Sequence, residues 1–154
     1  MNTESMTPIE AQTLAENVTA AMWSRDRAAQ ALGMRIDSVC PGSAVLSMPV
    51  RSDMVNGHHI CHGGLIFSLA DTAFAYACNS YNRNTVASAC TIDYLAPGKE
   101  GDTLTATAVE RSAAGRTGVY DVTVQDGAGK IIALFRGKSY RISGDVIAGL
   151  AAQN

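Results

Sequence analysis

The chain has 154 residues, 47% of them hydrophobic, with 12 basic and 14 acidic side chains and a formal charge of −2. A chain of this length can bury a core large enough to fold without a disulfide framework or a structural metal, so one domain is expected over residues 1–154, with 1–33 as a helical lead-in. Its scattered Lys and Arg form no basic stripe of the kind a phosphate backbone requires, which argues against nucleic acid as a partner.

Met1-Asn2-Thr3-Glu4-Ser5 has no basic start leading into an apolar run, so the sequence predicts no signal peptide and a cytoplasmic location. Thr7-Pro8-Ile9-Glu10 opens a helix, with a capping threonine, proline at the first helical position and glutamate three residues after the cap. Ile9, Leu14, Val18 and Met22 follow as its apolar face. A second short helix starts near Ser24 or Asp26 and stops at Gly33. From Met34 the period becomes two: strands at about Met34–Cys40 and Ala44–Val50 form a hairpin through Pro41-Gly42-Ser43. Residues 51–61 read as a polar functional loop with an Asn56-Gly57 turn.

Segment 63–79 is apolar on every side and rich in Ala, which favours a helix enclosed by the rest of the fold. Asp71 at its centre argues against a membrane span. Four further strands follow at Val86–Leu95, Thr103–Arg111, Thr117–Gln125 and Lys130–Ile142. Helices do not alternate with strands, so a doubly wound sheet is excluded and an antiparallel α+β sheet curled around the one apolar helix is predicted. Such a sheet leaves an edge to cover, and pairing with a second copy is expected. Cys40, Cys61, Cys78 and Cys90 contain no CxxC pair and read as small buried apolar residues.

Asp71 is the only carboxylate between His59 and Arg83, and its helical neighbours Phe67, Phe74, Ala75 and Cys78 offer no cation. Burying an unpaired carboxylate costs several kcal/mol and raises its pKa toward the range of a useful base. A structural role, capping another element or bonding a backbone amide, is the competing explanation. His62-Gly63-Gly64 supplies the complement: two glycines at a helix start permit close approach and present amides that no helical carbonyl satisfies, a site for a developing oxyanion. Gly63 and Asp71 lie eight residues apart, about 12 Å along one helix, too far to act on one atom. In a two-fold dimer the helix start of one copy would meet the aspartate of the other.

The run from His62 to Asn79, continued through Ala87-Ser88-Ala89-Cys90-Thr91-Ile92-Asp93-Tyr94-Leu95-Ala96-Pro97-Gly98, resembles the signature of the phenylacetate-degradation (PaaI-type) hotdog thioesterases. The resemblance implies a hotdog fold, a homotetramer built from hotdog dimers, and hydrolysis of acyl-coenzyme A with aromatic acyl groups such as phenylacetyl or its ring-hydroxylated forms. It implies Asp71 as general base or nucleophile and the Gly63 amide as the group polarising the thioester carbonyl, with Asn56 and His62 lining the same site. Gly64, Tyr94, Arg111 and Arg116 are the candidates for contacts with the substrate and its coenzyme A. No metal or other cofactor is expected, coenzyme A being part of the substrate. One departure stands out: a serine that some relatives carry on the following strand falls at Ala87, with Ser88 adjacent.

Three other readings compete. His58, His59, Cys61 and His62 are zinc-ligand types, but such tight bunching rarely converges on one ion. A hotdog hydratase or dehydratase would pair a histidine with the acid. A non-catalytic acyl-CoA-binding module would keep the pocket without turnover.

Overall fold

The computed structural model describes residues 6–151. Helix α1 spans Pro8–Trp23 and α2 Arg27–Ala31; β1 (Arg35–Cys40) and β2 (Ser43–Pro49) precede α3 (Gly63–Asn79), and β3 (Thr85–Tyr94), β4 (Thr103–Ala114), β5 (Thr117–Gln125) and β6 (Ile131–Arg141) complete the chain. The six strands form one antiparallel sheet in the order β1-β2-β4-β5-β6-β3. This is the expected hotdog architecture, with α3 packed on the inner face.

The lead-in begins as the sequence predicts. The Thr7 hydroxyl accepts from the Glu10 amide at 3.3 Å, and the Glu10 carboxylate accepts from the Thr7 amide at 2.7 Å, closing a capping box. Ala11, Leu14, Ala15 and Val18 are buried, but Ile9 is 80% exposed, because five residues of helix turn it about 140° away from the face that Leu14 and Val18 share. Helix α2 is capped by Asp26, and the chain leaves it through Gly33 at φ +70°.

Alternation along the strands sends Leu46 and Met48, Leu104, Ala106 and Ala108, Tyr120, Val122 and Val124, and Ala133 and Phe135 inward, and Ile132 joins them where the β5–β6 register shifts. They meet Ile66, Leu69, Ala70, Ala73, Phe74 and Ala77 of α3. Strand β4 runs three residues beyond the expected Arg111, through a bulge between Glu110 and Ser112 that keeps the ladder with β5 going. Asn79 welds the end of α3 to the start of β3: its side chain donates to the Ala75 and Thr85 carbonyls and accepts from the Thr85 amide.

Enclosure of α3 is incomplete within one chain. Leu65, Phe67, Ser68, Asp71, Thr72 and Ala75 stay half-buried, on a stripe that the strands of the same copy cover only in part, through Phe135 against Phe67 and Cys90 against Asp71. Strand β3, at the edge of the sheet, is exposed over most of its ten residues. A bare edge and a partly covered helix stripe side by side are what an unpaired hotdog protomer presents.

Candidate active site

The site is built at two stations on α3. The first is its N-terminus, where four amides have no carbonyl a turn earlier to bond. His62 disposes of two, its Nδ1 accepting from the Gly64 amide at 3.0 Å and its carbonyl from Leu65 at 2.9 Å, while its own amide donates to the Met54 carbonyl at 2.8 Å. The ring therefore carries its proton on Nε2. Among the described residues nothing accepts from the Gly63 amide, so one N–H at the positive end of the helix dipole is left for an anionic oxygen.

Tyr94 roofs this end. Its hydroxyl donates to the Gly63 carbonyl at 2.9 Å, and a β-carbon on Gly63 would lie 3.1 Å from Cζ of its ring. Only glycine fits beneath that ring without moving it. Asn56 belongs to the preceding loop, where its Oδ1 accepts from the His58 amide at 2.9 Å and the Ile60 amide at 3.4 Å. This Asx turn and the Val55–Cys61 bridge hold the loop against the helix start, and the His62 amide donates to the Met54 carbonyl. The Asn56 Nδ2 donors have no partner among the described residues.

The second station is Asp71, two turns into α3. Burial pushes its carboxyl above the ordinary range, and a hydrogen bond from Cys90 of β3 works against the shift. The Sγ–Oδ1 distance is 3.8 Å, long enough to leave most of the desolvation unopposed. The same neighbourhood raises both thiols, Cys78 to about 12 and Cys90 to about 11, burial first and the Asp71 charge adding to it. No cation contributes to the shift. Sequence reasoning missed Cys90 because the contact comes from a strand 19 residues away.

A cavity of about 370 Å3 opens beside Asp71, between α3 and the start of β3, with Phe74, Ala75, Val86 and Ala87 among its walls. Ala87 faces into it, while the bulge between Ala87 and Ala89 turns Ser88 away to donate to the Lys138 carbonyl at 3.0 Å. Met22, Arg25 and Val146 line the cavity as well, and no motif pointed to them.

The remaining candidates separate. Arg111 donates to Asp121 at 3.0 Å in a cluster with Arg136, on the outer side of β4 and β5, and the two guanidiniums hold the Asp121 carboxyl below its usual range. Arg116, in the β4–β5 turn, lines a smaller cavity with Arg83 and Arg141. Among the described residues, no three His, Cys, Asp or Glu side chains gather as metal ligands would. His58 and His59 are exposed and Cys61 is buried beneath them.

Within one copy, then, His62, Gly63, Gly64 and Tyr94 are brought together with the Asn56 loop beside them, and Asp71 is joined to Cys90. The unbroken helix keeps the two stations about 12 Å apart.

The family model of the thioesterase superfamily matches residues 58–133, which contain both stations. Acyl-coenzyme A thioesterase PaaI of Escherichia coli K12 is 57% identical over 126 residues, 82% of this chain and 90% of that protein. The chain belongs to the PaaI-type hotdog thioesterases. The thioesterase also superposes on the structure of the PaaI protein from the E. coli phenylacetic acid degradation operon, with TM-score 0.87 and 54% identity over 88% of this chain and 98% of the other. A Streptococcus mutans UA159 protein solved with bound acetyl CoA gives TM-score 0.69 at 27% identity, covering 73% and 90% of the two chains. The protein is therefore a thioester hydrolase. No helix among its described residues is long and apolar enough to cross a membrane.

Proposed function

We propose that the enzyme hydrolyses acyl-coenzyme A thioesters carrying aromatic acyl groups of the phenylacetyl or hydroxyphenylacetyl type, releasing free acid and coenzyme A. The observation that carries this reading is Asp71: a half-buried carboxylate with its pKa raised by desolvation, no cation contributing to that shift, and an adjoining cavity. The E. coli relative, named as an acyl-coenzyme A thioesterase, and the S. mutans neighbour with bound acetyl CoA support the coenzyme.

Asp71 of one copy accepts the proton of an attacking water, or attacks the thioester carbonyl itself. The Gly63 amide of a second copy receives the oxyanion and the thiolate leaves; where Asp71 itself attacked, water then hydrolyses the resulting anhydride, releasing the acid and restoring the carboxylate. The bare β3 edge and the open stripe of α3 support pairing of two copies around such a site, and two such dimers make a tetramer. No metal or further cofactor is needed, since thiolate is a good leaving group. His62 is spent as a cap on the Gly64 amide, which favours hydrolysis over hydration, where a histidine would partner the acid. Asn56 lines the pocket with its free amide donors. Arg116 suits the coenzyme phosphates better than Arg111, whose guanidinium is already engaged by Asp121. We read the chain as one catalytic domain working in the cytoplasm.

The test is thiol release from phenylacetyl-, hydroxyphenylacetyl-, benzoyl- and straight-chain acyl-CoAs by wild type and Asp71→Asn. Turnover of the aromatic substrates should fall about a hundredfold or more in the variant with its assembly intact. Equal activity in the two proteins would overturn the role given to Asp71, and tight binding without turnover would favour a binding module.

A further inference from the structure

The catalytic stations lie inside the segment shared with the family, but the far end of the cavity does not. From Asp71 the cavity follows α3 to Asn79, about 12 Å along the helix axis. Phe74, Ala75, Val86 and Ala87 give it apolar walls along this path, with Asn79, Asn84 and Thr85 adding polar groups at the helix end. At the helix end three residues from outside the matched region join the lining: Met22 at the C-terminal end of α1, Arg25 just beyond it, and Val146 from the segment that follows β6.

Val146 belongs to no helix or strand, so something else must hold it in place. Asn82 does so. It is fully buried in the turn leaving α3, at φ +60°, a left-handed conformation that asparagine tolerates better than most residues. Its Nδ2 donates to the Ile147 and Leu150 carbonyls, each at 3.1 Å, and its Oδ1 accepts from the Ile147 amide at 2.8 Å. Asn84 adds a second fastening, its side chain donating to the Ser143 carbonyl at 3.3 Å and its amide to the Gly144 carbonyl at 3.2 Å. Val146 is thus bracketed by bonds on both sides of it in sequence. A latch with three hydrogen bonds on one buried side chain is more than a surface segment needs to lie down, and it fixes the one side chain that reaches the cavity.

We infer that Val146, held by Asn82 and facing Met22, is the end wall that sets the length of the acyl group, which makes Val146 a specificity-determining residue and Asn82 its positioning residue. This rests on the functional reading above, in which the thioester carbonyl lies at Asp71. The acyl group then extends along Phe74 and Ala75 toward the helix end. A short arylacetyl group fits between the two ends, and added methylenes run into Val146.

The experiment compares kcat/KM for phenylacetyl-CoA and 4-phenylbutyryl-CoA in wild type, Val146→Ala, Val146→Phe and Asn82→Gly. Glycine accepts the positive φ while removing the latch. Val146→Ala should raise the ratio of the longer to the shorter substrate about tenfold, the worth of one or two methylenes in an apolar pocket, and Val146→Phe should lower it by a similar factor. Asn82→Gly should move the ratio in the same direction as Val146→Ala, which general loss of stability would not do. If Asn82→Gly does not fold, the two Val146 variants decide. An unmoved ratio in both Val146 variants, with wild type active and Asp71→Asn inactive, overturns the wall while leaving the function standing. A wild type that releases thiol from no acyl-CoA overturns the function and this inference with it.

Discussion

The two stations of α3 solve opposite problems. At the helix start the problem is an excess of donors, and one residue, His62, satisfies the Gly64 and Leu65 amides with its own ring and carbonyl, leaving only Gly63. Every group involved lies within four residues. At Asp71 the problem is a shortage: a carboxylate inside an apolar helix receives one long contact from a thiol on β3, with no cation contributing to its pKa shift. A helix terminus can be poised for chemistry by its own sequence, because the orphan amides come from helix geometry. A buried acid is poised by what tertiary packing withholds from it.

The comparison is broken most severely by asking whether the stations must come from different copies. Asp71→Asn and Gly63→Val each should lose about a hundredfold in kcat/KM, the first by removing the base and the second by driving Tyr94 off the helix start. Mixed and allowed to exchange subunits, the two inactive proteins should recover about a quarter of the wild-type rate, since hybrid two-fold dimers contain one intact site. No recovery, with exchange shown by mass, would return both stations to a single chain.

A smaller effect sharpens the Asp71 side. The hydrogen bond from Cys90 favours the ionised carboxylate, so Cys90→Ala should carry the acid limb of the kcat/KM profile to higher pH; an unmoved limb would deny the contact any influence. The same shift has a consequence for stability. A carboxyl whose pKa is raised on folding binds more protons folded than unfolded, so the folded state gains as pH falls from the folded pKa toward the unfolded one. Asp71→Asn should therefore melt slightly above wild type at neutral pH, with the gap closing on acidification, as calorimetry across that range would record.

The smallest effect belongs to the helix start. Tyr94→Phe removes one hydrogen bond to the Gly63 carbonyl and keeps the ring, costing about 1 kcal/mol in thermal unfolding and less than about tenfold in rate. A larger loss of rate without loss of stability would assign the hydroxyl a direct contact with substrate.

Much of the local structure was legible in advance. The capping box at Thr7 and Glu10, the end of α2 at Gly33 and the span of α3 from Gly63 to Asn79 depend on neighbours a few residues away, and all appear where predicted. Ile9 does not share the buried face of α1, because it stands five residues before Leu14, off the i, i+4 spacing that joins Leu14, Val18 and Met22. Tyr94 and Arg111 were matched to the coenzyme by likeness. Their observed partners, the Gly63 carbonyl and Asp121, arise from pairing across the fold.

The sequence alone therefore determined the periodicities, the caps, the apolar helix with one acid at its centre and the glycine pair at its start, since each is a matter of spacing within a few turns. Tertiary structure alone decided that Cys90 meets Asp71, that the bulge at Ser88 turns Ala87 to the cavity, and that Met22 and Val146 close its far end. Those groupings place around one cavity residues separated by up to 124 positions, and no local pattern encodes which of many compatible side chains a folded sheet will bring together.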